Sequence, residues 1–162
     1  MNMDRKEIKI NGRKYVLEPI PADDAAAFGL EVLQVVATPL SAVLGTSGLS
    51  LASLGDGKNL DDKTVSKMTA MFLRSIPQLD MPQVSSIFKR AFAGTMCTEG
   101  KLDDKGVRDQ YFQNFPSDYY PVAIWAAFTH SKDFLFGAMS GLKEVFLGMA
   151  PESQSPSLTG SK

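Results

Sequence analysis

Cysteine and histidine each occur once in this sequence, as Cys97 and His130. A single thiol excludes an internal disulfide and a cysteine-based zinc site. A single imidazole excludes every metal site or catalytic pair that needs two. An excess of one charge is missing too: 17 Lys and Arg oppose 18 Asp and Glu over 162 residues, a formal net charge of −1. Dedicated nucleic-acid binders carry a basic excess or stripe, so no nucleic-acid partner is expected. Long apolar runs are also absent. Val32 to Leu44 is interrupted by Gln34, Thr38, Pro39 and Ser41, and it falls short of the ~20 residues a membrane span requires. A second apolar stretch is broken by Pro121, His130, Lys132 and Asp133. The start, MNMDRKEIKI, has no apolar run of the secretory type. These absences predict a cytosolic protein with no membrane contact, and a lone unpaired thiol agrees.

What is present is ordinary in total and uneven in distribution. Hydrophobic residues make up 44% and charged residues 22%, too apolar for disorder and typical of one globular domain. From Ala25 to Gly55 there is one charged residue, Glu31, and from Tyr119 to Ala150 there are four. Between them, Asp56 to Asp118 carries 18 charges in 63 positions. Two charge-poor segments therefore flank a charge-rich one.

Asn11-Gly12 stands between two alternating runs, Ile8/Ile10 and Tyr15/Leu17. Asn-Gly tolerates the positive φ values of a type I′ turn, so a β-hairpin is expected over 6–18. An isolated hairpin is marginal in water, so this one must rest on another element. Asp23-Asp24 suit the positive end of a helix spanning about 22–44. Leu30, Leu33, Ala37, Leu40 and Leu44 recur on it at spacings of three and four, while Phe28, Val32, Val35 and Val36 widen the apolar face. Pro39 is expected to kink or divide it. A Gly- and Ser-rich loop follows over 45–59. Helices are then expected at about 62–76, capped by Asp61 or Asp62 with Val65, Met68, Phe72 and Ile76 inward, and at 81–93, capped by Asp80 with Val84, Ile87, Phe88, Ala91 and Phe92 inward. Residues 95–102 suggest a second short hairpin around Glu99-Gly100, and Asp103-Asp104 precede a further helical pattern. Ser117 and Asp118 read as caps of a helix over 117–130, and a last helix is expected over 132–149 with Leu135, Met139, Leu142, Phe146 and Met149 repeating. The tail, 151–162, has no periodicity and is expected to be disordered. The class is α+β, mainly α: one domain, 1–150, with an N-terminal hairpin packed on a bundle of about five helices.

Catalytic templates fail on this chain. Neither GTSGLS nor GAMSG has the G-x-S-x-G spacing of a nucleophile elbow. Gly57-Lys58 is followed by Asn59, and Ala52 stands where a phosphate-binding loop needs its first glycine. Lys58 occupies the second ligand position of a calcium loop opening at Asp56. Cys97 reads as a small apolar residue in a short strand and His130 as a polar residue ending a helix, so no enzyme, metal or cofactor is expected. What remains is surface and shape. The helix over 22–44 is apolar on more than one face, which fits either a central helix surrounded by neighbours or a face held open for another apolar helix. Eight methionines, among them Met68, Met71, Met139 and Met149, suit an adaptable surface or a core.

The order of these features resembles bacteriophage tail assembly chaperones. INGRKYVLEPIPADDAAAF is similar to the family's opening, with a hairpin around Asn-Gly, a Pro-x-Pro-Ala turn and an Ala-rich helix. The hairpin at TEGKL, the aromatic pair Tyr111-Phe112 with Phe115, and VAIWAAFTHSKDFL with Asp133-Phe134 resemble its later part, so similarity covers about residues 8–148. The resemblance implies an α-rich protein of the host cytoplasm that binds the long, aggregation-prone tape measure protein. It also implies help in recruiting the tail tube protein and departure before the virion is complete. Such a role needs apolar grooves, reversible affinity and a well-solvated outer face, with no ATP and no catalytic residue. The client-binding surface is expected on Leu30, Leu33, Val36 and Leu40 of the first helix, with Trp125, Phe128 and Phe134 from the aromatic region. Homo-oligomerisation stays open. So does the alternative of a structural virion component, such as a tail-completion or head–tail joining protein.

Overall fold

The computed structural model describes residues 4–47 and 61–148. Asn11 and Gly12 both adopt positive φ, 50° and 78°, and close the turn between β1 (Lys6–Ile10) and β2 (Arg13–Leu17). Ile8, Ile10, Tyr15 and Leu17 alternate inward and are buried. Helix α1 spans Ala22–Ser47, with Asp23 and Asp24 in its first turn. Helix α2 (Asp62–Ser75) is capped by Asp61, whose carboxylate accepts from the Thr64 N–H at 2.8 Å. Helix α3 (Met81–Ala91) begins after Asp80, but the Asp80 side chain makes no capping hydrogen bond. Strands β3 (Thr95–Cys97) and β4 (Gly100–Lys101) form the expected second hairpin.

Pairing of Val16 with Met96 and of Leu17 with Thr95 joins the two hairpins into one antiparallel sheet of order β1-β2-β3-β4. Gly94 makes that junction. Its φ is +74°, and a Cβ there would lie 2.6 Å from the Glu18 carbonyl oxygen. Its own carbonyl accepts the Glu18 N–H at 2.9 Å. Only glycine combines that backbone conformation with so close an approach.

Helix α4 (Lys105–Asn114) follows, and Asp104 caps it by accepting from the Val107 N–H at 3.1 Å. Two helices expected over 117–130 and 132–149 are one, α5 (Tyr119–Gly148). No glycine or proline separates them at 131. The Ser131 hydroxyl donates back to the Ala127 carbonyl at 2.6 Å, within the helix itself. His130 therefore lies inside a helix rather than ending one. Likewise α1 is a single element through Pro39. Among the described residues there are five α-helices, the class expected, with 105–114 rather than a divided C-terminal region supplying the fifth.

Val122 to Ala127 are all buried, six consecutive positions. A helix buried on every side is central, and α5 packs against α1, α2 and α3. Around it an aromatic cluster forms: Phe92 meets Phe112 and Tyr119 at ring-centroid distances of 5.4 and 5.5 Å, and Phe88 meets Phe72 and Tyr120 at 5.3 and 6.1 Å. Aromatic pairs in these tilted geometries add to the burial of their area. The loop expected over 45–59 begins later, because α1 runs through Ser47. Its remainder from Gly48, the inward repeat expected from Leu135 to Met149 and the tail beyond Pro151 lie outside the described residues and side chains.

Candidate partner-binding surface

Ser117 and Asp118 do not cap a helix. They close a short 3-10 turn, Pro116–Asp118, and the Asp118 side chain turns inward to 0% exposure. Its carboxylate accepts from Asn11 Nδ2 at 2.7 Å, Arg13 Nε at 2.6 Å, Arg13 Nη2 at 2.8 Å, Ser117 Oγ at 3.3 Å and the Tyr15 hydroxyl. Tyr15 also shares a hydrogen bond with the Tyr111 hydroxyl at 3.0 Å. The Arg13 guanidinium stacks on Phe115, 4.3 Å from its ring centre. Burial alone pushes the Asp118 carboxyl up, but the bonds from Arg13, Asn11 and Tyr15 outweigh it and hold it below the usual range. Burial, with Asp118 beside it, pushes the Tyr15 hydroxyl well up. An ionised carboxylate with five donors and a fully protonated phenol form a lock between the hairpin turn and the start of α5, not an acid–base pair. Sequence reasoning missed these roles because Arg13 and Asp118 are 105 positions apart.

The lone thiol and imidazole are equally committed. Cys97 points its thiol at the Gly100 carbonyl, 3.4 Å away, and burial raises its pKa. His130 Nε2 lies 2.9 Å from the Ala93 carbonyl, and its ring meets Phe28 edge-on. Burial lowers the His130 pKa, partly offset by the backbone carbonyls of Ala93 and Ala91. Among the described residues, no group of three or more His, Cys, Asp and Glu is placed to hold a metal ion. No helix among them is long and apolar enough to cross a membrane.

On α1 the inward face is Phe28, Val32 and Val35. At 100° per residue, Leu30 stands about 200° around the helix from Phe28, on the far side from the core. It is 50% exposed, and Leu33, next on that stripe, is half-buried. The α1 backbone continues through Val36 and Leu40, whose side chains lie outside those described. From α5, Phe134 is half-buried and lies across Gly29 of α1, so closely that a methyl group there would fall 3.0 Å from its ring. Phe128 is half-buried. Trp125 is 2% exposed and belongs to the core. Leu30, Leu33 and Phe134 are thus carried by the paired helices α1 and α5. Leu73 on α2 and Met81 on α3, which the spacing did not single out, are also exposed. Glu31 and Arg90 bridge α1 to α3 beside this surface, with the Arg90 guanidinium 5.4 Å from the Phe28 ring.

The chain thus has an α-rich body with a small sheet, and Leu30 is an exposed large apolar side chain on α1. A family model described as "Phage tail assembly chaperone protein, TAC" matches residues 11–142. That span runs from the hairpin turn well into α5, and the chain belongs to the phage tail assembly chaperone family. Comparison with curated proteins and with solved structures gives no match.

Proposed function

We propose that this chain is a non-catalytic chaperone of the phage tape measure protein. It binds that client through the outer face of α1, keeps it soluble in the host cytoplasm, and helps recruit tail tube subunits. It departs before the virion is complete. One observation carries the reading: Leu30 stays 50% exposed in a stretch whose one charge is Glu31. A contiguous apolar patch rimmed by polar residues marks a partner surface, and the Glu31–Arg90 pair stands at the edge of this one. An amphipathic helix laid on such a face is recognised through anchors at helical spacing. Leu30, Leu33, Val36 and Leu40 supply that spacing. Phe128 and Phe134 extend the face from α5, and Trp125 acts on it only through the packing of α5.

Co-expression with a phage tape measure protein tests the proposal. The tape measure protein is expected in the soluble fraction with this chain present. Equal insolubility with and without the chain sinks the reading. Mass spectrometry of purified particles provides the second check, since a chaperone is absent from them. A fixed copy number there would instead make the chain a virion component.

A further inference from the structure

β1 is the outer strand of the sheet, with β2 on one side and, among the described residues, no strand on the other. In a hairpin closed by a two-residue turn, the pair flanking the turn is hydrogen-bonded and the pairs alternate from there. Ile10–Arg13, Ile8–Tyr15 and Lys6–Leu17 are therefore the bonded pairs of the observed register. It follows that the backbone N–H and C=O groups of Glu7 and Lys9 point away from β2. Among the described residues, no hydrogen bond from another element reaches them. Their side chains are exposed, while Ile8 and Ile10 between and beside them face the core.

The charges on this edge are unevenly served. Glu7 pairs with Lys14 at 2.9 Å. Lys9 sits directly across from Lys14, a like-charge pair that disfavours the sheet, and it has no ion-pair partner among the described residues. Edge strands ordinarily carry charge to prevent pairing with other chains. Here the alternation of sign leaves one register open. An antiparallel pairing of two copies centred on Ile8 sets Glu7 against Lys9 of the second copy, and Lys9 against its Glu7. Those residues own the outward backbone groups, so the hydrogen-bond parity is correct. Sliding the second copy by two residues either way sets Glu7 against Glu7 or Lys9 against Lys9. The pattern thus admits one register and penalises its neighbours.

We infer that β1 is a self-association edge: two copies of this chain pair antiparallel through Glu7–Lys9, continuing the four-stranded sheet across a two-fold axis. This inference does not depend on the client-binding role of α1. A five-residue edge is a small interface, so the dimer is weak and concentration-dependent.

Sedimentation equilibrium on the full chain, at concentrations up to about 1 mM because the interface is small, reads the association. Amide hydrogen exchange reads its location. Glu7 and Lys9 amides are expected to gain protection as concentration rises, while those of Ile8 and Ile10 are protected throughout by β2. Lys9→Glu relieves the clash with Lys14 inside the monomer, so the fold is retained, yet it sets two like-charge pairs across the dimer. The expected effect is a weakening of roughly tenfold or more. Glu7→Lys weakens the dimer in the same way, and the double swap Glu7→Lys/Lys9→Glu restores it. A chain that stays monomeric with both amides unprotected overturns the inference. So does a dimer indifferent to Lys9→Glu or not restored by the swap. Protection that arises only on adding tape measure protein also overturns it, and would reassign the edge to a client strand.

Discussion

The junction at Asp118 and the outer side of α1 treat polarity in opposite ways. At the junction a carboxylate is fully buried, and five donors converge on it from the hairpin, the preceding serine and Tyr15. On α1 a leucine is left half exposed, with Phe28, Val32 and Val35 already filling the core from the other side. Burial of a charge is tolerated only where its partners are complete, so the Asp118 site specifies one arrangement of hairpin and helix. The exposed half of Leu30 adds little to folding, so its identity is not dictated by the core. A substitution at the buried carboxylate therefore strikes the fold itself, whereas one at the exposed leucine leaves the core intact.

The largest effect should come from breaking the polar side. Asp118→Ala leaves the Arg13 guanidinium and the Tyr15 and Asn11 donors without their acceptor, and should destabilise the chain by about 3 kcal/mol in urea unfolding. Asp118→Asn keeps an acceptor and should lose less. Next comes Gly94→Ala, which forces a Cβ against the Glu18 carbonyl at positive φ and should cost roughly 2–3 kcal/mol. That loss should be accompanied by loss of amide protection at Glu18.

A smaller effect follows from pH. The folded-state pKa of His130 is lowered, so the unfolded chain binds a proton that the folded chain refuses. Stability is then complete above the unfolded value of about 6.5 and declines as pH falls below it. His130→Gln should flatten urea midpoints measured across about pH 7.5 to 5.5, the window around the ordinary histidine pKa. Asp118 contributes no slope in that window. Its pKa is lowered, so its contribution is present above about pH 4 and is lost only as pH falls below that.

The smallest effect on stability, and the sharpest test of the contrast, is Leu30→Glu. Unfolding should change by no more than about 0.5 kcal/mol, as for exposed positions generally, while recovery of soluble tape measure protein on co-expression should fall. If Leu30→Glu instead unfolds the chain as Asp118→Ala does, the contrast between the two regions disappears.

Local chemistry made much of this fold legible. Asn11-Gly12 announces the first hairpin, because few other pairs accept two positive φ values. Asp61 announces helix α2, because its carboxylate satisfies an N–H group that no helix can satisfy itself. Helix α4 is signalled only by the acidic pair Asp103-Asp104 before a helical pattern and is not among the five helices expected. The spacing of Val84, Ile87, Phe88 and Ala91 identifies the buried side of α3, and all four are buried. His130-Ser131-Lys132, by contrast, has the polarity of a break, yet the chain runs on as helix. A serine hydroxyl can bond back to its own helix, and burial of His130 against Phe28 and Ala93 removes the reason to stop. Glycine at 94 carried no signal in a segment without a turn motif, since the strand it approaches begins 81 positions earlier, at Arg13.

The surface was half legible. Composition showed that α1 has apolar residues on more than one side, and helical geometry separates Leu30 and Leu33 from Phe28 and Val32. Which side faces inward depends on where α5 lies, and α5 was itself divided by the spacing argument.

The order of residues alone set the periodic and capped elements and the segregation of charge along the chain. Each follows from interactions within a few residues or from simple counting. Only the tertiary structure decided that α5 rather than α1 is central, that Asp118 holds the hairpin instead of capping a helix, and that β2 and β3 join two hairpins into one sheet. Those outcomes rest on contacts between residues some 80 to 105 positions apart, whose energies depend on burial, and burial exists only once the whole chain has packed.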